Sequence, residues 1–355
     1  MLLKVLGFEL RYRISRPATW IYFGIMFLLA FAAASTDYVT IGSSSGLIKL
    51  NAPTKIALMM VVLTALPGFF FASAVMGNPI LRDYQHKTSP LIFTTPISKG
   101  AYLFGRFAGS YLILLLIFSG MLVGFMLGPV MPWVDADKYL PYNLWHFLQP
   151  FLLFVIPNAF IAGSLFFMGG ALSKKLLFVY VQGIALFVLY MVSGQFLREL
   201  EQHQFVAWSD PIGLNLLNLV SRYWTVTEQN SQTYELAGLI LQNRVLWTLI
   251  GLGALLITYF RFSFHANQKK VKKNKKVSKS PKSIIHVPTS IPKVAISTGW
   301  QTNLHKALSL SKFYFLEIVK SIPFQVIVGL GIFSLIMDAT DMGSMYGTTS
   351  YPTTY

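Results

Sequence analysis

The sequence is poor in charged residues and contains no cysteine. Charged residues make up 12% of its 355 positions, whereas hydrophobic residues make up 54%. A soluble domain carries about 25% charged residues, so this composition indicates a chain whose solvent is largely lipid. The absence of cysteine excludes disulfides, thiolate metal sites and a cysteine nucleophile.

Common catalytic motifs are also absent. The sequence has no G-x-x-x-x-G-K-[ST] phosphate loop and no H-E-x-x-H zinc motif. The stretch GSSSG at 42–46 fits G-x-S-x-G, but it stands between two apolar runs, where a flexible loop is expected. The six histidines stand singly and predict no metal site. The chain is therefore either passive or driven by a partner.

Seven apolar runs approach the length of about 20 helical residues that crosses a bilayer. They are 18–34, 56–76, 108–128, 151–172, 176–196, 245–260 and 323–337. The first six contain no Asp, Glu, Lys, Arg or His. Because proton-coupled carriers and intramembrane proteases need ionisable groups at depth, this absence argues against both.

Basic residues are concentrated in alternate connections between these runs. The N-terminal segment, the second and fourth connections and the segment 261–322 hold 23 of the 29 Lys and Arg residues. The positive-inside rule then predicts six spans with the N-terminus in the cytoplasm. A competing interpretation is a cleaved signal peptide, because LLAFAAAST at 28–36 ends a basic and then apolar N-terminus with small residues.

The first 17 residues predict an amphipathic helix at the membrane surface, before Pro17 permits a turn into the first span. Glu9 and Arg13 interrupt its apolar face, and a solvated leader is the alternative. The residues of that face are Leu2, Leu3, Val5, Leu6, Leu10 and Ile14. A similar order of amphipathic stretch, Glu317, Pro323 and apolar run returns late in the chain and predicts the start of a second copy.

These features predict an all-α polytopic membrane protein in three parts. Residues 1–262 form a six-span module, residues 263–302 a basic cytoplasmic linker, and residues 303–355 the surface helix and first span of a second module. The linker contains NQKKVKKNKKVSKSPK, which favours contact with anionic membrane lipids or a simple solvated connection. No aromatic residue interleaves with these lysines, so no nucleic-acid partner is expected.

Two groups of residues inside the predicted spans suggest particular backbone behaviour. Glycines spaced by four, at Gly120, Gly124 and Gly128, predict close helix packing, either between subunits or within one bundle. Pro67, Pro157 and Asn158 predict local breaks that act as hinges or as ordinary kinks.

The polar connection RDYQHKTSPLIFTTPISKGAYLFGRF, here called the 82–107 segment, is unusually long and lies on the predicted cytoplasmic side. It resembles the coupling segment of the ABC-2 permease superfamily, the membrane subunits of one type of ATP-binding-cassette exporter. The matching stretches are Arg82-Asp83, Lys87-Thr88, Leu91, Pro96-Ile97-Ser98-Lys99 and Tyr102-Leu103-Phe104-Gly105-Arg106. Asp83 stands where Glu is commoner in the family, and Lys87 replaces a Gly.

The resemblance covers roughly residues 1–262 and implies a non-enzymatic permease in a bacterial cytoplasmic (inner) membrane. ATP and Mg²⁺ would be bound by a separate ATP-binding-cassette subunit, with no cofactor in this chain and with a second permease half supplied by fusion or dimerisation. The implied contacts of that subunit are Arg82, Asp83, Thr88, Ser89, Leu91, Pro96, Ser98, Lys99, Tyr102, Gly105 and Arg106. Pro96 and Gly105 would set the angles of the segment.

Other interpretations remain open from the sequence. Duplicated permeases of this kind also resemble the membrane portion of bacterial chains that carry a C-terminal zinc aminopeptidase domain. A membrane anchor for a larger assembly is one alternative function. A membrane enzyme acting on lipid-linked substrates is another, for which the acids and His203 of the 198–244 connection are the candidate groups, although that connection is more typical of a short amphipathic helix. The transported substrate is not indicated.

Overall fold

The computed structural model describes residues 1–36, 47–196, 203–264 and 299–320, together with residues 324, 325 and 328. The chain divides into two units, Met1–Phe264 and His265–Tyr355. Every regular element in the described ranges is a helix. The α-helices of the first unit are α1 (Leu2–Ile14), α2 (Pro17–Ser35), α3 (Pro53–Leu63), α4 (Phe69–Met76), α5 (Asn78–Gln85), α6 (Ser89–Phe93), α7 (Lys99–Leu127), α8 (Trp145–Pro150), α9 (Ile156–Ser173), α10 (Leu176–Phe196), α11 (His203–Ser209), α12 (Leu214–Val220), α13 (Val226–Ser231) and α14 (Gly238–Arg261).

Among the described residues, five helical stretches are long and apolar enough to cross a membrane. They are Pro17–Ser35, Pro53–Met76, Lys99–Val130, Trp145–Ser173 and Gly238–Arg261. These contain the first four predicted runs and the sixth. The fifth run forms α10 at its predicted bounds, but its apolar part, Leu177–Met191, is shorter than the other five. The described part of the protein is therefore all-helical, with five candidate membrane-spanning helices.

Several predicted features lie outside the described residues. The seventh apolar run, 323–337, is described only at residues 324, 325 and 328, and the GSSSG stretch at 42–46 is not described. Most of the basic linker, 265–298, is also outside. In the second unit the structure describes α15 (Trp300–Val319), which corresponds to the predicted amphipathic stretch of the second copy.

All five long helices begin earlier than the apolar runs that predict them, and the difference is largest for α7 and α14. α7 begins at Lys99 and α14 at Gly238, so Arg106 and Arg244 lie inside helices rather than in connections. Both side chains are buried. The sequence places these arginines outside the spans because a charge ends each apolar run. The structure shows that the helices continue through the charges, which are paired with polar groups inside the bundle.

The glycines of α7 determine how closely its neighbours pack. α1 and α2 both lie along α7. A Cβ atom added at Gly120 would lie 2.5 Å from the carbonyl oxygen of Phe23, and one at Gly124 would lie 2.5 Å from that of Phe27. The third glycine, Gly128, lies against Ala34 in the same way. The glycine row therefore packs α7 against α2 of the same chain, as small residues do between membrane helices.

Both proline-marked breaks coincide with π-helical turns. Residues Thr64–Gly68, which contain Pro67, form a π-helical turn between α3 and α4. Residues Phe151–Val155 form a second one between α8 and α9, immediately before Pro157. The Tyr111 hydroxyl donates to the carbonyl oxygen of Ile156 over 3.1 Å, so a neighbouring helix satisfies a backbone group next to the break.

Residues 203–237, the described part of the connection between α10 and α14, contain three short helices, of which α12 and α13 pack on α3. Leu216 and Leu217 of α12 are buried in a small apolar cluster with Val61 and Phe154. The Asp210 carboxylate accepts hydrogen bonds from the backbone N–H groups of Ile212, Gly213 and Leu216 at 2.9–3.1 Å. This connection is therefore a packed cap, in agreement with the amphipathic helix that its sequence indicates.

We expect Gly124→Ala to lower the free energy of unfolding by about 1–3 kcal/mol, because the new methyl group overlaps the backbone of α2. Gly24→Ala is the matched control, since a Cβ at Gly24 meets no atom of the described residues within 4 Å. Chemical unfolding in mixed micelles measures both variants. Equal stabilities for the two would contradict the close packing of α7 on α2.

Candidate functional site

The 82–107 segment forms the end of α5, all of α6, a short loop and the start of α7. Pro79 and Pro90 stand in the first turns of α5 and α6, where a missing backbone N–H costs nothing. The Ser98 hydroxyl caps α7 by accepting a hydrogen bond from the N–H of Ala101 over 3.3 Å. Local sequence therefore fixes the start of α6 before the loop that contains Pro96 and the start of α7 after it.

A buried carboxylate holds this segment to the N-terminal helix. The Glu9 side chain of α1 is fully buried and accepts hydrogen bonds from three arginines. The donors are Arg13 Nε at 2.6 Å from Oε1, Arg106 Nη1 at 2.5 Å from Oε2 and Arg82 Nη2 at 3.1 Å from Oε2. One acid therefore joins α1, α5 and α7.

A second carboxylate extends the cluster within the segment. Arg106 Nη2 donates to both carboxylate oxygens of Asp83, at 2.8 and 3.0 Å. The Tyr102 hydroxyl donates to Oδ2 of Asp83 over 2.7 Å. We call the set Glu9, Arg13, Arg82, Asp83, Tyr102 and Arg106 the Glu9 network.

The electrostatics of the Glu9 network favour an ionised Glu9. Burial alone would raise the pKa of Glu9, but the charges of Arg13, Arg82 and Arg106 outweigh it and hold that pKa below its usual range. Burial raises the pKa of Asp83, although Arg106 and the Tyr102 hydroxyl oppose part of that rise. With both acids ionised, three guanidinium groups face two carboxylates and leave one positive charge.

Aromatic rings attach the segment to the end of α14. The ring of Phe93 in α6 lies 4.7 Å from that of Phe264 and 5.7 Å from that of Tyr102, measured between centroids. Phe262 stacks on Tyr102 with centroids 5.9 Å apart. Lys99 Nζ also donates to the carbonyl oxygen of Phe260 over 3.3 Å. The segment is thus packed against α1, α7 and the residues that follow α14.

The predicted contact residues divide into an outer and an inner group. Leu91, Pro96 and Ser98 are exposed, with Leu91 72% exposed. Arg82, Thr88 and Lys99 are half-buried, and the buried members are Asp83, Ser89, Tyr102, Gly105 and Arg106. The charged pair Arg82-Asp83, predicted as an outward contact, is engaged inside the Glu9 network. Gly105 lies against Val5 of α1, where an added Cβ would be 2.8 Å from the Val5 Cβ.

Lys87 occupies a backbone position that suits glycine. Its φ of 56° lies in the left-handed region, which side chains with a Cβ rarely adopt. Lys87 therefore forms a left-handed turn between α5 and α6.

The predicted hinge residue Asn158 belongs to a different buried cluster. Arg244 Nη1 donates to Asn158 Oδ1, and Asn158 Nδ2 donates to the carbonyl oxygen of Ile212, both over 2.7 Å. These bonds join α9, α14 and the turn before α12. Among the described residues no three His, Asp or Glu side chains group as metal ligands. Asp210, one of the candidate acids of a membrane enzyme, has its oxygens occupied by backbone N–H groups, while Glu199 and Glu201 lie outside the described residues.

Sequence reasoning missed Glu9 and Arg13 as members of this site. Their signal is present, since an acid and a base four residues apart interrupt the apolar face of the first helix. An interruption of that kind favours a buried polar contact over an imperfect membrane-surface helix. The partners Arg82 and Arg106 could not be found in this way, because no local pattern connects them to Glu9.

We expect Glu9→Gln to lower the free energy of unfolding by about 3 kcal/mol, because it leaves three arginines with a single carboxylate. Glu235→Gln is the matched control, because the same change at an exposed position costs within about 0.5 kcal/mol. Denaturant titration in micelles measures both variants. A cost for Glu9→Gln no larger than that of the control would show that the network adds no stability.

The contribution of Glu9 also has a defined pH dependence. Its pKa is lowered by folding, so its stabilisation is complete above the unfolded-state pKa of about 4.3 and is lost only as pH falls through the lower folded-state pKa. The stability difference between the natural chain and Glu9→Gln should stay constant from pH 8 to pH 5 and shrink below about pH 4. A difference that already disappears near pH 6 would mean that burial outweighs the arginines.

Comparison with known proteins leaves the geometry as the main guide to function. No protein-family model matches the chain. No curated protein matches it either.

Proposed function

We propose that the chain is the membrane-spanning permease subunit of an ATP-binding-cassette exporter, driven by a separate ATP-binding subunit. The observation that carries the proposal is the two-sided construction of the 82–107 segment. Its outer side presents the exposed residues Leu91, Pro96 and Ser98, whereas its inner side is held by the Glu9 network. An exposed surface on a firmly attached short helix suits a point where a partner delivers force.

The inner contacts provide a route for that force. Displacement of α6 acts on α5 and α7 through the chain, on α1 through Arg82 and Arg106, and on the end of α14 through Phe93. Because a packed interior transmits strain rather than absorbing it, these elements respond together. ATP binding and hydrolysis in the partner would then shift the bundle between inward-facing and outward-facing states.

The proposed topology has six spans with the N-terminus in the cytoplasm of a bacterial inner membrane. α10 serves as the fifth span, since its 21 residues reach about 31 Å at 1.5 Å per residue, close to the thickness of the hydrocarbon core. α15 begins a second copy of the module, joined by the basic linker, which also contacts anionic lipids. A second permease half, fused or dimeric, completes the pore.

The left-handed turn at Lys87 gives independent support to the family assignment. Lys87 stands where the family pattern has glycine, and its backbone has the left-handed conformation that favours glycine. The turn sets the angle between α5, which contributes Arg82 and Asp83 to the network, and α6, which presents Leu91. In the proposed coupling segment this turn would hold α5 and α6 at a fixed angle to each other.

We expect Leu91→Asp to abolish co-purification of the chain with an ATP-binding-cassette subunit encoded beside it, because the change puts a charge into the proposed contact. Co-expression followed by affinity purification and measurement of ATP turnover tests this expectation. Leu144→Asp is the matched control, since Leu144 is also exposed and follows the third long helix, at the opposite end of the bundle.

Either of two results would contradict the proposal. The natural chain could fail to retain any ATP-binding subunit, which would remove the energy source. Alternatively, Leu91→Asp and Leu144→Asp could retain it equally, which would place the contact elsewhere. Unchanged expression and elution of both variants without the partner shows that the loss is not a folding defect.

A further inference from the structure

A groove of about 400 Å³ lies between α1 and the 82–107 segment. Sites for small ligands commonly span about 300–1,000 Å³ and combine apolar walls with a few polar groups. This groove has that composition. Its lining includes Lys4, Val5, Phe8, Ile92, Thr95 and Ile97, with Tyr102 and Arg106 contributed by α7.

The charge at the groove is positive. The described lining residues include Lys4 and Arg106 and no Asp or Glu. Arg106 belongs to the Glu9 network, which keeps one positive charge in excess. Its Nε atom is buried and has no hydrogen-bond partner among the described residues, although both of its terminal nitrogens are engaged. An occupant with an anionic group is therefore favoured over a neutral one.

The position of the groove indicates where such an occupant comes from. The groove adjoins the start of α7, part of the candidate membrane span Lys99–Val130, which contributes Tyr102 and Arg106 to its lining. α1 packs Val5 against Gly105 at this point and exposes Leu3 and Phe8. Exposed apolar side chains next to the beginning of a span are typical of the headgroup layer of a bilayer. At that depth the available amphiphile is a membrane lipid.

We propose that this groove binds one anionic phospholipid, with an acyl chain between Val5, Ile92 and Ile97 and the phosphate beside Lys4. Basic pockets on the cytoplasmic side of membrane proteins recognise anionic headgroups in this way. The exposed residues proposed to contact the ATP-binding subunit, Leu91, Pro96 and Ser98, are not among the described residues that line the groove. A bound lipid would fill the space between α1 and α6 and contact both.

The test uses the full chain purified in detergent and native mass spectrometry with two lipids that share the same acyl chains, dioleoyl phosphatidylglycerol and dioleoyl phosphatidylcholine. We expect selective retention of phosphatidylglycerol at one molecule per chain. Lys4→Gln should reduce that retention about fivefold, the effect of removing one basic residue near an anionic group. Arg11→Gln, the same charge change on the same helix but outside the groove, should leave retention unchanged.

A second pair of variants tests the apolar part of the site. Thr95→Trp puts a large ring into the groove and should abolish retention, whereas Thr94→Trp, at the neighbouring exposed position outside the lining, should not. Glycerophosphoglycerol, the headgroup without acyl chains, should not displace the lipid at equal concentration. Equal retention of both lipids, displacement by the headgroup alone, or identical behaviour of the members of each variant pair would overturn the proposal. None of these readouts requires an ATP-binding subunit, so this inference and the exporter function can fail separately.

Discussion

The buried carboxylate of Glu9 is the contact on which this end of the bundle depends. It accepts hydrogen bonds from arginines in α1, α5 and α7. Hydrogen bonds are directional, whereas apolar contacts are not. A buried carboxylate without these partners would be strongly unfavourable, and without it the three arginines would share the single carboxylate of Asp83. Arrangements that separate α1 from α5 and α7 are therefore disfavoured, because each leaves buried charges unpaired.

The Glu9 network depends on the close approach of α1 to α7, which glycines of α7 permit. A Cβ atom at Gly109 would lie 2.8 Å from the Cβ of Glu9, and one at Gly105 would lie equally close to that of Val5. Glycine also permits close packing farther along α7, where Gly120 and Gly124 lie against the backbone of α2. One row of glycines thus positions both the N-terminal helix and the first long helix. The charge network and the small-residue packing are two consequences of the same close approach.

The sequence allowed the long helices to be predicted because apolar length is a local property. The runs that became α2, α7 and α14 could be recognised without knowledge of their neighbours. The helix starts were placed too late where a charged residue continues the helix, as Lys55, Arg106 and Arg244 do in α3, α7 and α14. The Glu9 network could not be predicted in full. Its members lie 73 and 97 residues apart along the chain, and a buried arginine and an exposed one look alike in a sequence. The interruption of the first helix by Glu9 and Arg13 was the available local signal.

The position of the firm contacts also determines where the proposed exporter can bend. α5 and α6 are held to α1, α7 and the end of α14 by ion pairs and packed rings, so relative movement among these elements would break several buried contacts at once. Backbone hydrogen bonding is already irregular in the π-helical turn Thr64–Gly68, within the helix that leads into α5. Helices bend at such turns because fewer regular bonds have to be broken. In the proposed mechanism, force applied at Leu91 therefore moves the elements joined by the Glu9 network together. The helix Pro53–Met76 then bends at Pro67.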